Sequence, residues 1–474
     1  MPPSGAAESP SAGDQLSPPE VAPTTLSRKL GAGDGAAIVV SNVIGSGILI
    51  VPAFVADLAP SPWAMLGVWL LGGALAFAGA LGYAELATLR PRAGGEYVYL
   101  RAAYGPLAGF LTGWTSFVAG FSGAIAAGAV GIAGILGRFL PFAADSSPIY
   151  SLPLPFVSLT LSPQSVVALC VIAALSAVHS AGLGPGRMVQ NVLAGAKVAV
   201  LAAVVALGFS LGQGSSQNFS GGDAVALGPW ALALIPVMFS YSGWNAAAYV
   251  TEEIRDPGRN IPRALLVGTA AVVLLYLALN LVFLYAIPIG EFPGQAVRIG
   301  DAAVERLFGA GAASAWSAAS IVMILASISA MVLAGPRVYY AMARDGLFFK
   351  AVARVHPRSR TPVFAIAAQA AWSGLLVLTG TFEQLIEYTG FAIVLFAGTA
   401  VLAVFVLRHR RPTDVRPFRT WGYPVAPLFF VVASFLIVVN AIWERPGTSG
   451  AGILVIALGV PLYFWMRGRR PDRR

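Results

Sequence analysis

Residues 45–52 read GSGILIVP, in the middle of an apolar run from about 33 to 58 that is long enough to cross a bilayer. Gly45, Ser46 and Gly47 make a poor helix interior, because glycine there costs roughly 1 kcal/mol relative to alanine. In lipid, unwound backbone survives only where protein or a water-filled cavity satisfies its N–H and C=O groups. The stretch therefore predicts a membrane helix broken at mid-depth, where bare peptide dipoles meet a small ligand that carries both charges.

The rest of the chain agrees. Of 474 residues, 57% are hydrophobic and 11% charged, against about 25% charged in soluble domains. Near-continuous apolar segments, not short alternating ones, predict an all-α membrane protein rather than a barrel. Twelve spans are expected, at about 33–58, 63–88, 105–137, 163–180, 187–211, 228–253, 261–287, 311–343, 361–380, 384–407, 423–443 and 450–467. The expected organisation is a tail (1–30), a first five-helix repeat (31–215), a second, inverted one (225–408), two additional helices (420–468) and a short tail (469–474). The Pro-, Ser-, Gly- and Ala-rich stretch 1–30 cannot build a core and is expected to be disordered.

The net charge of +9 does not point to nucleic acid. With the N-terminus inside, 25 of the 30 Lys and Arg fall in cytoplasmic segments and 4 in outer loops, leaving Lys197 alone inside the membrane. That asymmetry predicts an inner-membrane protein with both termini cytoplasmic. The single cysteine, Cys170, lies in an apolar run and is expected to be a small buried residue. Residues 90–104 read as an interfacial helix, with Tyr97, Tyr99 and Tyr104 in the headgroup region and Arg101 snorkelling. Trp63, Trp230, Trp316 and Trp443 are expected as interfacial anchors.

A second interruption, FSYSGWN at 239–245, falls in span six. Five spans separate it from the first break, and an odd number inverts the second unit. Broken helices at matching positions of two inverted units point to a carrier's binding site. The outer half of span one, beginning near Ile48, offers free N–H groups and a positive dipole end to a carboxylate. Span one's inner half, ending near Ile44, and span six's outer half, ending near Ser240, offer unpaired C=O groups to an ammonium. A zwitterionic α-amino acid satisfies both sets.

Lys197 sits mid-span five, where a charge costs about 2.5–3.5 kcal/mol. Snorkelling would have to cover about ten residues. The sharper expectation is that its ammonium contacts the broken segment of span one in place of a sodium ion; the residues do not decide between a fixed charge and a proton carrier. Asp34, Asp57, Glu85, Glu383 and Glu387 all sit near predicted helix ends, so neutral amino acids are expected over polyamines or other organocations. Glu252 and Glu253 fit either a cytoplasmic gate or a solvated helix end. No metal site is expected from the dispersed His179, His356 and His409, no phosphate-binding loop is present, and nothing pairs a nucleophile with a base as a membrane enzyme requires.

GSGILIVP at 45–52, GGEYVYLRAAYGPLAGFLTGW at 94–114 and FSYSGWNAAAYVTEEIRDPGRNIPRA at 239–264 resemble the amino acid–polyamine–organocation transporter superfamily, most closely its L-type amino-acid transporter branch. The resemblance implies a five-plus-five inverted fold with two further helices and alternating access, with amino-acid exchange or uptake. It places the substrate's α-groups on Ile44, Gly45, Ser46, Gly47 and Ile48. Phe239 (as a gate), Ser240, Ser242 and Gly243 complete the site, Asn245 shapes the side-chain pocket, and Tyr276 links with Lys197. A proton-coupled symporter of the same fold is the alternative. Loop 138–162 lacks the cysteine by which some members hold a single-span glycoprotein, so no disulfide-linked heavy subunit and no cofactor are expected.

Overall fold

The computed structural model describes residues 28, 30–153, 158–181, 186–222, 224–293, 299–357, 359, 361–379 and 382–468, with backbone alone at 186–190, 382–388 and 468. Most of the expected tail 1–30, the tail 469–474 and the side chains of Glu383 and Glu387 lie outside the described residues.

The chain folds as α1 (Ala32–Val43), α2 (Ser46–Leu58), α3 (Pro62–Leu89), α4 (Glu96–Tyr104), α5 (Pro106–Thr115), α6 (Phe121–Leu136), α7 (Pro163–Ala181), α8 (Gly186–Ser210), α9 (Leu227–Leu232) and α10 (Leu234–Tyr241). There follow α11 (Ala246–Tyr249), α12 (Pro257–Ala286), α13 (Ile299–Phe308), α14 (Ala310–Arg344), α15 (Val363–Thr379), α16 (Phe382–Arg410), α17 (Val425–Glu444), α18 (Pro446–Ala457) and α19 (Gly459–Gly468). Among the described residues nine helices, counting joined ones together, are long and apolar enough to cross a membrane, and α1 with α2 makes a tenth, bent by 44°. Predicted spans six and nine coincide with shorter apolar helices, 227–241 and 363–379. Loop 138–162 was not expected to hold sheet, yet Tyr150–Pro153 (β1) pairs antiparallel with Ser158–Leu161 (β2).

α1 packs against α8, α12 and α14, and α2 against α10, so the first break is enclosed by other helices on every side. Protein groups can therefore satisfy its backbone where lipid could not.

Several expectations give way to tertiary packing. Cys170 is exposed, on the outward face of α7. Tyr97 and Tyr99 are buried, and Arg101 pairs with Asp345 instead of snorkelling. Trp316 is buried against Gly300, and Trp230 donates Nε1–H to the Ala64 carbonyl, whereas Trp63 and Trp443 remain exposed as anchors would be. Glu85 is 1% exposed. It accepts two hydrogen bonds from Arg408 (2.8 and 2.6 Å) and two from Thr420 (2.8 Å each), which fastens the α16–α17 connection to α3. Removing one partner of a buried ion pair costs about 3–5 kcal/mol. Glu85→Ala should therefore lower unfolding stability in detergent by about that amount, and a wild-type midpoint in denaturant would refute the anchoring role.

Candidate substrate site

The backbone leaves helical geometry where the glycines predict, with shifted limits. α1 ends at Val43, Ile44 is extended, and α2 already starts at Ser46, two residues before the expected Ile48. No side chain caps α2, so its first N–H groups keep no intrahelical acceptor. α10 ends at Tyr241 rather than Ser240, Ser242 is extended, and Gly243 adopts φ +99° before the single turn of α11. The two breaks touch. A Cβ on Gly47 would lie 2.6 Å from Ser240 Cα, so only glycine permits this approach.

The expectation of unpaired carbonyls at the end of α1 is corrected. Lys197 Nζ, 2% exposed, donates to Ser41 O (3.0 Å) and Ile44 O (2.8 Å). Ser327 Oγ donates to Asn42 O (3.2 Å). Tyr276 does not hydrogen-bond Lys197. Its hydroxyl instead lies 2.8 Å from Val43 O and 3.3 Å from Ser240 O, joining the two broken spans. Buried carbonyls need partners, and here α8, α12 and α14 supply them. The N–H end of α2 has no such set, so an incoming anion finds open donors there, while an ammonium must share carbonyls by their second lone pairs.

Gly45, Ser46, Gly47, Phe239, Ser240 and Ser242 line one small cavity. Asn42, Ala124, Ile324, Ser327 and Met331 also border it, and no lining side chain is charged. Ile44 and Ile48 are fully buried in the core and do not line it. Gly243 and Asn245 line a second, larger cavity, which shares Asn42, Ala124, Ser242 and Met331 with the first. Its walls include Thr115, Phe121, Ile393 and Phe396, from spans three and ten. Asn245 donates to Glu96 (2.6 Å), so its amide is committed to a hydrogen-bond cluster.

Glu96, Asn42 and Ser327 were not picked out as site residues. Glu96 reads as an ordinary acidic first-turn residue of α4, and only the fold buries it. Ser116–Gly120 forms a π-turn between α5 and α6 whose carbonyls accept from Tyr339, Trp372 and Thr389. Such turns favour functional sites, and Ser116 and Gly120 line the second cavity. Glu253 pairs with Arg337 at 2.9 Å, which favours the gate reading over a solvated helix end. Among the described residues no cluster of His, Cys, Asp or Glu could hold a metal.

A predominantly helical membrane protein with an uncharged cavity between two broken spans has the architecture of a carrier. The amino acid permease family model matches residues 34–463, and the chain belongs to that family, whose members are transporters and not enzymes. It is 29% identical over 450 residues to Asc-type amino acid transporter 1 of Mus musculus, covering 93% of this chain and 81% of the relative. It is 28% identical over 450 residues to the serine/threonine exchanger SteT of Bacillus subtilis (strain 168), covering 94% and 98%. To b(0,+)-type amino acid transporter 1 of Homo sapiens it is 29% identical over 460 residues, covering 93% and 88%.

The close approach at Gly47 sets a test. Gly47→Val should abolish substrate binding or cut it at least tenfold, whereas Gly33→Ala, with nothing within 4 Å of the added carbon, should bind as wild type. Equal binding by both variants, measured by scintillation proximity on purified protein, would remove the break from the site.

Proposed function

We propose that this amino acid permease is a secondary transporter of neutral L-amino acids that works by alternating access, as an exchanger or in facilitated uptake. It lies in the cytoplasmic membrane with twelve spans, two inverted five-helix units and both termini inside. The observation that carries this reading is the small, uncharged cavity against the start of α2, where the two breaks meet. The α-carboxylate takes the free N–H groups of Ser46 and Gly47, aided by the helix dipole. The ammonium shares the carbonyls near Ile44 and Ser240. A neutral side chain extends between Phe239 and the larger cavity toward spans three and ten.

Lys197 holds Ser41 O and Ile44 O, two oxygens that would otherwise suit a monovalent cation. Transport then needs no sodium. The basic residues, concentrated on one side of the predicted spans, support the orientation. The only cysteine is Cys170 on α7, which supports a stand-alone chain without a disulfide-linked partner. The relatives, a serine/threonine exchanger among them, support amino acids as substrates.

Purified protein in liposomes, preloaded or not with an amino-acid panel, tests this directly. Neutral amino acids should enter without sodium, and faster against internal substrate if exchange dominates. Uptake of putrescine and no amino acid, or uptake that collapses without sodium, would overturn the reading. Lys197→Ala leaves two buried carbonyls unpaired, at about 1–3 kcal/mol each. It should slow uptake at least tenfold without creating a sodium requirement, as initial rates in sodium and choline buffers will show.

A further inference from the structure

We infer that Glu96 is a positioning residue, a carboxylate clamp that holds the α11 half of span six closed over the larger cavity; this rests on the alternating-access reading above. Glu96 begins α4, at the approach to span three, and is 8% exposed. It accepts from Tyr83 of α3 (2.7 Å), Asn245 (2.6 Å) and Tyr249 of α11 (3.0 Å), and Asn245 also reaches the Tyr249 hydroxyl (3.2 Å). One side chain thus joins spans two, three and six.

The surroundings are built for closure. Gly95, with φ +52°, brings the backbone so near Tyr249 that a Cβ there would lie 2.4 Å from its ring. Tyr83 packs edge-on against Tyr99 and Trp244, and Phe121 against Tyr249. Glu96, Asn245 and Tyr249 all line the larger cavity, so they form part of its wall. Among the described residues no Lys, Arg or His lies within 4 Å of the Glu96 carboxylate; its partners are all neutral donors. A buried carboxylate held only by neutral donors depends heavily on each of them. If α11 swings away, two of the three donors leave together and water must replace them. The clamp therefore favours the closed wall and opens only when the cavity hydrates.

The test uses the full chain in liposomes with Cys170→Ser and a reporter, Thr115→Cys, on the wall of the larger cavity. Glu96→Gln keeps the volume but turns one accepting oxygen into a donor facing donors. Labelling of the reporter by a membrane-impermeant maleimide from the cytoplasmic side should rise at least about tenfold, which is what losing one charge-assisted hydrogen bond gives. Glu96→Asp should fall between wild type and Glu96→Gln. Paired Tyr83→Phe and Tyr249→Phe changes should reproduce the increase without altering the carboxylate, and so keep the test decisive should Glu96→Gln fail to fold. Labelling that stays at the wild-type rate in Glu96→Gln, or in the tyrosine pair, would overturn the clamp. Labelling does not need transport. A wild-type protein that moves no amino acid would therefore bring down the functional reading by a separate result.

Discussion

Four successive peptide carbonyls, from Ser41 to Ile44, end a helix inside an apolar protein, and the structure turns on how they are satisfied. An orphaned carbonyl at that depth would be costly. Lys197, Ser327 and Tyr276, from three separate helices, each donate to them. The helix can stop there only because α8, α14 and α12 already stand around it. In return, those helices are held in register by a feature that no apolar contact would fix. The opposite end of the break, at Ser46, has no such set of partners, and this asymmetry gives the site a direction: open donors toward an anion, shared acceptors toward a cation.

The two cavities differ in size and lining. The smaller one, between α2 and α10, has an uncharged lining and little room, which suits groups common to every amino acid. The larger one, bordered by spans three, six, eight and ten, has aromatic and aliphatic walls interspersed with polar residues, among them Glu96, Thr115 and Asn245. Shared residues such as Asn42 and Ser242 make the boundary between them a matter of side-chain position rather than of distance along the chain.

The fold class was legible because membrane spans declare themselves by length and hydropathy, and the breaks because small-residue interruptions, which singly could serve close helix packing, recur at matching positions of two expected repeats. Lys197 was legible for the same reason: a lone charge at mid-depth must have a partner. Glu96 was not. An acid at a helix start is the commonest of surface features, and nothing local to GGEYVY distinguishes a buried one. Tyr97, Tyr99 and Trp316 misled in the opposite direction, since amphipathic rings suit the interface and the interior alike. Cys170 was misread because an apolar neighbourhood in a membrane chain means lipid as readily as core. The partners of Tyr276 were hidden because they are backbone atoms of other spans, and side-chain spacing carries no trace of them.

Leu30 lies just ahead of α1, yet its backbone pairs with the segment that follows α11, giving and taking hydrogen bonds at Glu253 O and Arg255 N, 2.9 Å each. Two half-helices far apart along the chain thereby share one handle. Glu253 is in turn ion-paired with Arg337 on α14. The backbone entering α1 is thus tied through two hydrogen bonds and one ion pair to α14, so a displacement of any one of these segments must break the links or carry the others with it.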